Sequence, residues 1–173
     1  MRAIDTGNLI LEPQTAEHAN EMFVVLSDPA IYEYENQPPP SLEWLRSRFT
    51  KLETRRSADG REQWLNWVIR LPTSELIGYV QATVHGDAHA SIAYELSSTF
   101  WGRGLAFQAV GAMIAELVRF YSVRSVVAVL KRENIRSRRL LERLGFASGS
   151  PEEHVAHGVE ADELLMLRDG ECT

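Results

Sequence analysis

The sequence holds a single cysteine, Cys172, and no stretch approaching 18 consecutive apolar residues. The first absence excludes a disulfide scaffold and any multi-cysteine zinc or iron–sulfur centre. The second excludes a membrane-spanning helix. An excess of positive charge is also missing: 18 basic against 24 acidic residues leave a net charge of −6, so neither nucleic acid nor an anionic membrane is an expected partner. No glycine is followed by lysine, which removes a P-loop. The opening residues MRAIDTGNLI lack the apolar run of a secretory signal, and the one proline cluster, Pro38-Pro39-Pro40, is too short for an interdomain linker. With 173 residues, 45% of them hydrophobic, the expectation is one cytoplasmic globular domain over residues 1–173.

What is present sorts by hydrophobic period. Asn8 to Leu11 reads as a short strand. Thr15 is placed to cap a helix bearing Ala19, Met22, Phe23 and Leu26, which Asp28-Pro29 stops. Ser41 caps a second helix with the stripe Leu42, Leu45, Phe49 and Leu52. The middle third is β-rich, in the runs Trp64–Arg70, Leu76–Val84 and Ser91–Leu96. From Leu105 to Val118 apolar residues pair up every four positions, the pattern of an amphipathic helix. Val126–Leu130 is an almost wholly apolar strand and Asn134–Leu144 a helix closed by Gly145. Phe146–Val155 and Val159–Leu167 read as two strands joined by a hairpin at His157-Gly158. The expected fold class is α/β: a mostly antiparallel mixed sheet of about seven strands with four main helices. One right-handed parallel crossover runs from the fourth strand through the third helix to the fifth strand.

That crossover sets a helix start beside strand ends, where ligands of mixed sheets bind. The loop there is Phe100-Trp101-Gly102-Arg103-Gly104-Leu105-Ala106. Gly102 and Gly104 let backbone N–H groups approach an anion, and the helix start adds partial positive charge, a pairing suited to pyrophosphate. The same Gly-x-Gly also makes a plain strand-to-helix turn. A dinucleotide fingerprint is excluded, because it needs glycine at Phe107. Lys131 to Arg143 carries six basic and two acidic residues, a local +4. It reads first as a solvated helix face with Asn134 as N-cap. His85 and His89 have metal-ligand spacing but lack partner ligands, so no metal is expected.

WGRGLA at 101–106 resembles the Q/R-x-x-G-x-G/A signature of the GNAT N-acetyltransferases, and N-x-x-S-x-x-L-L-E-R-L-G-F at 134–146 is similar to the segment that follows in their RimJ/RimL branch. IGYV at 77–80, IAYEL at 92–96 and HGVEAD at 157–162 extend the resemblance, which runs from about residue 8 to 167. It implies a GNAT fold and direct acetyl transfer from acetyl-CoA, as co-substrate, to a primary amine. The acceptor is either a protein N-terminus or a small-molecule amine. The rival it leaves open is a non-catalytic acyl-CoA-binding domain.

Residue by residue, the resemblance implies that the backbone of Tyr94, Glu95 and Leu96 pairs with the pantetheine arm. Trp101, Gly102, Arg103, Gly104, Leu105 and Ala106 hold the pyrophosphate. Asn134 bonds the pantetheine, Ser137 sits near the sulfur, and Arg136, Arg138 and Arg139 are candidates for the phosphates. Many members carry a tyrosine as acid where this chain has Leu141, which leaves Ser137 as the acid candidate. Glu95 is the first candidate base and His154 the second, a surface histidine being the plainer reading of the latter. Tyr32, Glu33, Tyr34, Glu35 and Trp44 are assigned to the acceptor groove, although Trp44 alone reads more readily as core.

Overall fold

The computed structural model describes residues 1–34 and 36–170; Glu35 and Cys172 lie outside the described residues. In chain order the elements are β1 (Ile4–Asp5), β2 (Ile10–Pro13), α1 (Ala19–Val25), α2 (Leu42–Leu52), β3 (Gln63–Arg70), β4 (Leu76–Val84) and β5 (His89–Leu96). They continue with α3 (Leu105–Tyr121), β6 (Ser125–Lys131), α4 (Ile135–Arg143), β7 (Ala147–Ser148), α5 (Pro151–Ala156) and β8 (Glu163–Asp169). Local chemistry fixes several of these starts. The Ser41 hydroxyl accepts the Trp44 N–H at 3.1 Å and opens α2, and the Asn134 side-chain oxygen accepts the Ser137 N–H at 3.0 Å and opens α4.

Among the described residues all the strands lie in one 8-stranded sheet of order β1-β2-β3-β4-β5-β6-β8-β7. Every neighbour pair is antiparallel except β5 and β6, which α3 joins by the expected crossover. Helices cover both faces. Trp67, Val80, Ile92 and Met113 belong to the larger apolar cluster on the α3–α4 side, while Met22, Leu45, Phe49 and Val68 pack together under α1 and α2. A β3 run buried from Leu65 through Ile69 is what two covered faces demand.

The feature that makes a site is where pairing stops. β5 and β6 are in register only for His89–Ser91 against Ser125–Val127. Beyond that, Ile92–Leu96 and Ala128–Lys131 run on without pairing to each other, and α4 begins at the mouth of the gap. On its other edge β5 lies hard against β4: a Cβ on Gly78 would stand 2.1 Å from the Glu95 carbonyl oxygen. Gly78 thus permits the close approach that holds β5 on β4 while it diverges from β6.

Two expectations are corrected. The stretch Phe146–Val155 is not one strand. Only Ala147–Ser148 pairs, and Pro151–Ala156 is helical. Ser150 caps that helix, with its hydroxyl accepting the Glu153 N–H and the Glu153 carboxylate accepting the Ser150 N–H, and Pro151 supplies the first-turn φ. Helix α5 therefore separates the last two strands, where a His157-Gly158 hairpin was expected. A further two-residue edge strand, β1, pairs with β2 ahead of the expected first strand, which begins at Ile10.

Candidate active site

The split between β5 and β6 opens onto both faces of the sheet. On one side is a channel of about 120 Å³ lined by Tyr94, Glu95, Leu96, Trp101, Ala106, Asn134, Arg136, Ser137 and Leu140, so β5, the α3 approach and α4 all contribute. On the other is a cavity of about 370 Å³, walled by Tyr32, Trp44, Arg48 and Phe49 and floored by Tyr79 and Gln81. The two share Ile31, Tyr34, Tyr94, Glu95, Asn134 and Ser137.

At the entrance to the channel, Gly102 and Gly104 both adopt φ +75°, a left-handed conformation that side chains resist. A Cβ on either would meet nothing within 4 Å among the described residues, so here the glycines keep space open where Gly78 fills it. The N–H groups of Gly102, Arg103 and Gly104 donate to no acceptor among the described residues, and they sit at the start of α3. Trp101 anchors the loop, its indole N–H donating to the Leu96 carbonyl at 2.9 Å. Above it, the Arg136 guanidinium stacks 3.7 Å from the ring centroid and donates to Glu33 at 3.1 Å. Open space, unpaired N–H donors and a nearby cation fit a pyrophosphate.

At the junction of channel and cavity, the Tyr94 phenol oxygen is 2.6 Å from the Ser137 hydroxyl oxygen. Burial pushes the phenol up to about 12, so it stays protonated through the neutral range. Glu95 faces the cavity. It accepts from the Asn36 side-chain amide at 3.3 Å, and it stands beside the buried Tyr79 phenol, whose pKa is driven well above its ordinary value by burial first and by the Glu95 charge and hydrogen bond next. Asn134 spends its oxygen on the α4 cap, which leaves its NH₂ at the junction.

A family model described as an acetyltransferase (GNAT) domain matches residues 8–147. The chain belongs to the GNAT acetyltransferases. Its reaction class is acetyl-CoA-dependent acetyl transfer. A Bacillus subtilis (strain 168) protein described as the uncharacterized N-acetyltransferase YoaA is 25% identical over 146 residues, covering 83% of this chain and 81% of that one. The fold is similar to that of RimL, the ribosomal L7/L12 alpha-N-protein acetyltransferase in complex with coenzyme A. That match has TM-score 0.82 at 17% identity, over 96% of this chain and 97% of the other. It is also similar to the microcin C7 self-immunity acetyltransferase MccE in complex with acetyl-CoA and AMP, with TM-score 0.78 at 17% identity, over 95% and 93% of the two chains.

In this GNAT chain most of the expected residues converge and some do not. Tyr94, Glu95, Leu96, Trp101, Ala106, Asn134 and Ser137 line the channel together, with Arg136 among the arginines. Arg103 lies over the Phe100 ring at 5.3 Å. Arg138 points elsewhere. It pairs with Glu142 at 2.9 Å and lines a separate depression, beyond α4, that also contains His154. The structure does not bring His154 to Glu95. Its Nε2 accepts the Leu165 N–H at 3.0 Å, which leaves the proton on Nδ1 to bond the Ser150 carbonyl at 2.8 Å. That ring ties α5 to β8. Trp44 departs from the core reading: it is 46% exposed and stands at the cavity wall. Leu141 is 1% exposed and packs in the larger core. His85 and His89 stack at 4.2 Å, and no group of three metal-ligating side chains occurs among the described residues. No helix among them is long and apolar enough to cross a membrane.

Sequence reasoning missed the Tyr94 side chain, Tyr79 and Arg48. Tyr94 entered only as backbone. The available signal was alternation: Tyr94 pairs with Val80 on the α3–α4 face, whereas Glu95 pairs with Tyr79 on the α1–α2 face.

Proposed function

We propose that residues 1–173 form one acetyltransferase domain that carries the acetyl group of acetyl-CoA directly to a primary amine. The observation that supports this best is the meeting of a donor channel and a separate cavity at Tyr94, Glu95, Asn134 and Ser137. Two substrates entering from opposite faces of the sheet would touch only there. Such a juxtaposition converts a bimolecular encounter into an oriented one, and it makes a covalent enzyme intermediate unnecessary.

In this reading the unpaired edge of β5 receives the pantetheine as an added strand, with the Asn134 amide donating to it. The N–H groups from Gly102 to Ala106 and the Arg136 guanidinium hold the phosphates. Transfer needs a neutral amine, a polarised carbonyl and a proton for the departing thiolate. Glu95 takes the amine proton, directly or through water. A backbone N–H near Leu96 bonds the developing oxyanion. The Ser137 hydroxyl hands its proton to the thiolate as it takes one from the Tyr94 phenol at 2.6 Å, and once the products leave, the phenolate regains a proton from solvent while Glu95 releases the one it took from the amine. An α-amine with a pKa near 7.8 is roughly a tenth neutral at pH 7, so a weak base suffices for it.

The test is release of coenzyme A, measured by thiol titration, across a panel of amines and peptides, together with a binding isotherm for acetyl-CoA. Acetyl-CoA binding with amine-dependent release is the expected result. Binding without release to any amine would instead support the acyl-CoA-binding rival.

A further inference from the structure

The cavity on the α1–α2 side of the sheet holds polar groups, besides Glu95, that the transfer chemistry does not use. Glu95 is the sole carboxylate among the described residues lining it, and Arg48 is the sole cation. Arg48 forms no ion pair among the described residues. Its guanidinium only leans over Trp44 at 5.5 Å. A second donor lines the same space. Gln14 is 2% exposed, and its amide nitrogen is buried with no hydrogen-bond partner.

The register explains how a glutamine comes to lie there. Gln14 continues β2, its N–H donating to the Asn66 carbonyl at 2.9 Å. Asn66 pairs with Gln81 on β4, and Gln81 with Ala93 on β5. Three carboxamides thus form one transverse row on the face under α1 and α2, and the row ends one step from Glu95 along β5. A buried NH₂ left unbonded costs about 1–3 kcal/mol, a cost that an acceptor brought in by a ligand would remove. The buried Gln14 NH₂ and the Arg48 guanidinium are both donors. Their common counterpart is an anionic acceptor.

We infer that the cavity recognises a carboxylate carried by the acceptor amine, with Arg48 and the Gln14 amide binding that carboxylate while Glu95 receives the amine. This rests on the acyl-transfer reading of the same site and names its substrate class. Strand spacing sets the length. Gln14 and Glu95 are three strands apart, about 14 Å at roughly 4.8 Å per strand, and two residues offset along the strands, which makes about 16 Å in all; their side chains take up part of that span. An acceptor of two to three extended residues, at about 3.3–3.6 Å each, bridges the remainder. The carboxylate can be the terminus of a free dipeptide or tripeptide, or an acidic side chain close behind a polypeptide N-terminus.

The experiment compares Gly-Gly and Gly-Gly-Gly with their C-terminal amides and with Gly-Asp-amide, in the wild type and in Gln14→Leu and Arg48→Ala. We expect kcat/KM at least tenfold higher for carboxylate-bearing peptides than for Gly-Gly-amide. Each substitution should shrink that preference to threefold or less by raising KM for the acids. A preference for the free acids assigns the carboxylate to a small peptide terminus; a preference for Gly-Asp-amide assigns it to a side chain. Equal rates for acid and amide, or a preference that survives both substitutions, overturns the proposal. Should no peptide be acetylated, the site is read by itself through the Gln14 side-chain NH₂ resonance of the CoA-loaded protein. A shift with Gly-Gly-Gly but not with its amide upholds carboxylate recognition even as the transfer reading fails. No shift with either ends it.

Discussion

Replacing Tyr94 by phenylalanine removes one oxygen and leaves the ring in place. That oxygen is 2.6 Å from the Ser137 hydroxyl, and burial holds the phenol near 12, so across the neutral range it keeps its proton. Two roles follow, with different magnitudes. As a packing contact alone, the lost hydrogen bond costs about 1 kcal/mol of stability, and kcat moves less than tenfold. As the source of the proton that Ser137 passes on, its loss lowers kcat by about 100-fold, the lower end of general acid catalysis. KM for acetyl-CoA should then stay within about twofold, because the contact matters in the transition state and not in the bound ground state. A double-mutant cycle separates the two roles. If the hydroxyls act in series, Ser137→Ala costs about as much as Tyr94→Phe, and the double variant costs little more than either. Steady-state kinetics on a confirmed acceptor supply all four numbers. Wild-type kcat in Tyr94→Phe, or additive losses in the pair, would refute the relay.

Other expectations come from the same geometry. Gly78→Ala forces a Cβ to within 2.1 Å of a backbone oxygen; at about 1–3 kcal/mol for overpacking and about 2–4 °C per kcal/mol, calorimetry should show Tm falling by about 2–12 °C. The Cβ of Gly104→Val meets no atom of the described residues within 4 Å, so its cost to folding is chiefly the strain of a branched residue at φ +75°, while acetyl-CoA binding by titration calorimetry should be lost; unchanged affinity would reduce the loop to a turn. Arg136→Ala removes an exposed ion pair worth at most about 1 kcal/mol, yet it should weaken CoA binding severalfold with a reduced salt dependence. Hydrogen bonds from Ser98, outweighing the opposing effect of burial, hold the Asp28 carboxyl below its ordinary value. The stability it adds is therefore present above about pH 4 and lost as pH falls through the folded-state value. Asp28→Asn should thus lower Tm at pH 7 and approach the wild type once the pH has fallen below the folded-state value.

What the sequence made legible was whatever local chemistry determines. The four-residue spacing of α3, the caps Ser41 and Asn134, and the glycines at 102 and 104 each carry their own structural reason, and the elements they specify appear where that reason puts them. The Ser150-Pro151-Glu152-Glu153 start of α5 was equally local, but a hairpin pattern after it outweighed a complete capping box. That error carried His154 with it. A residue placed on a strand face near the cleft sits instead inside a helix, with both ring nitrogens bound to backbone. Cavity polarity was not legible at all. Gln14, Asn66 and Gln81 are scattered along the chain, and only the strand register assembles them into a row.

The acid illustrates how far a motif can be followed and where geometry must take over. At 141 the side chain is a leucine, 1% exposed and packed in the core, so the helix that carries Ser137 cannot also present a phenol from the next turn. The chain restores a phenol from the neighbouring strand. Residue 94 pairs with Val80 and so points to the α3–α4 face. Divergence of β5 from β6 leaves room for its ring to reach α4, which a fully paired strand would deny it. In the proposed mechanism, the divergence that admits two substrates therefore also brings the phenol to Ser137. A change that closed the gap between β5 and β6 would remove binding and protonation together.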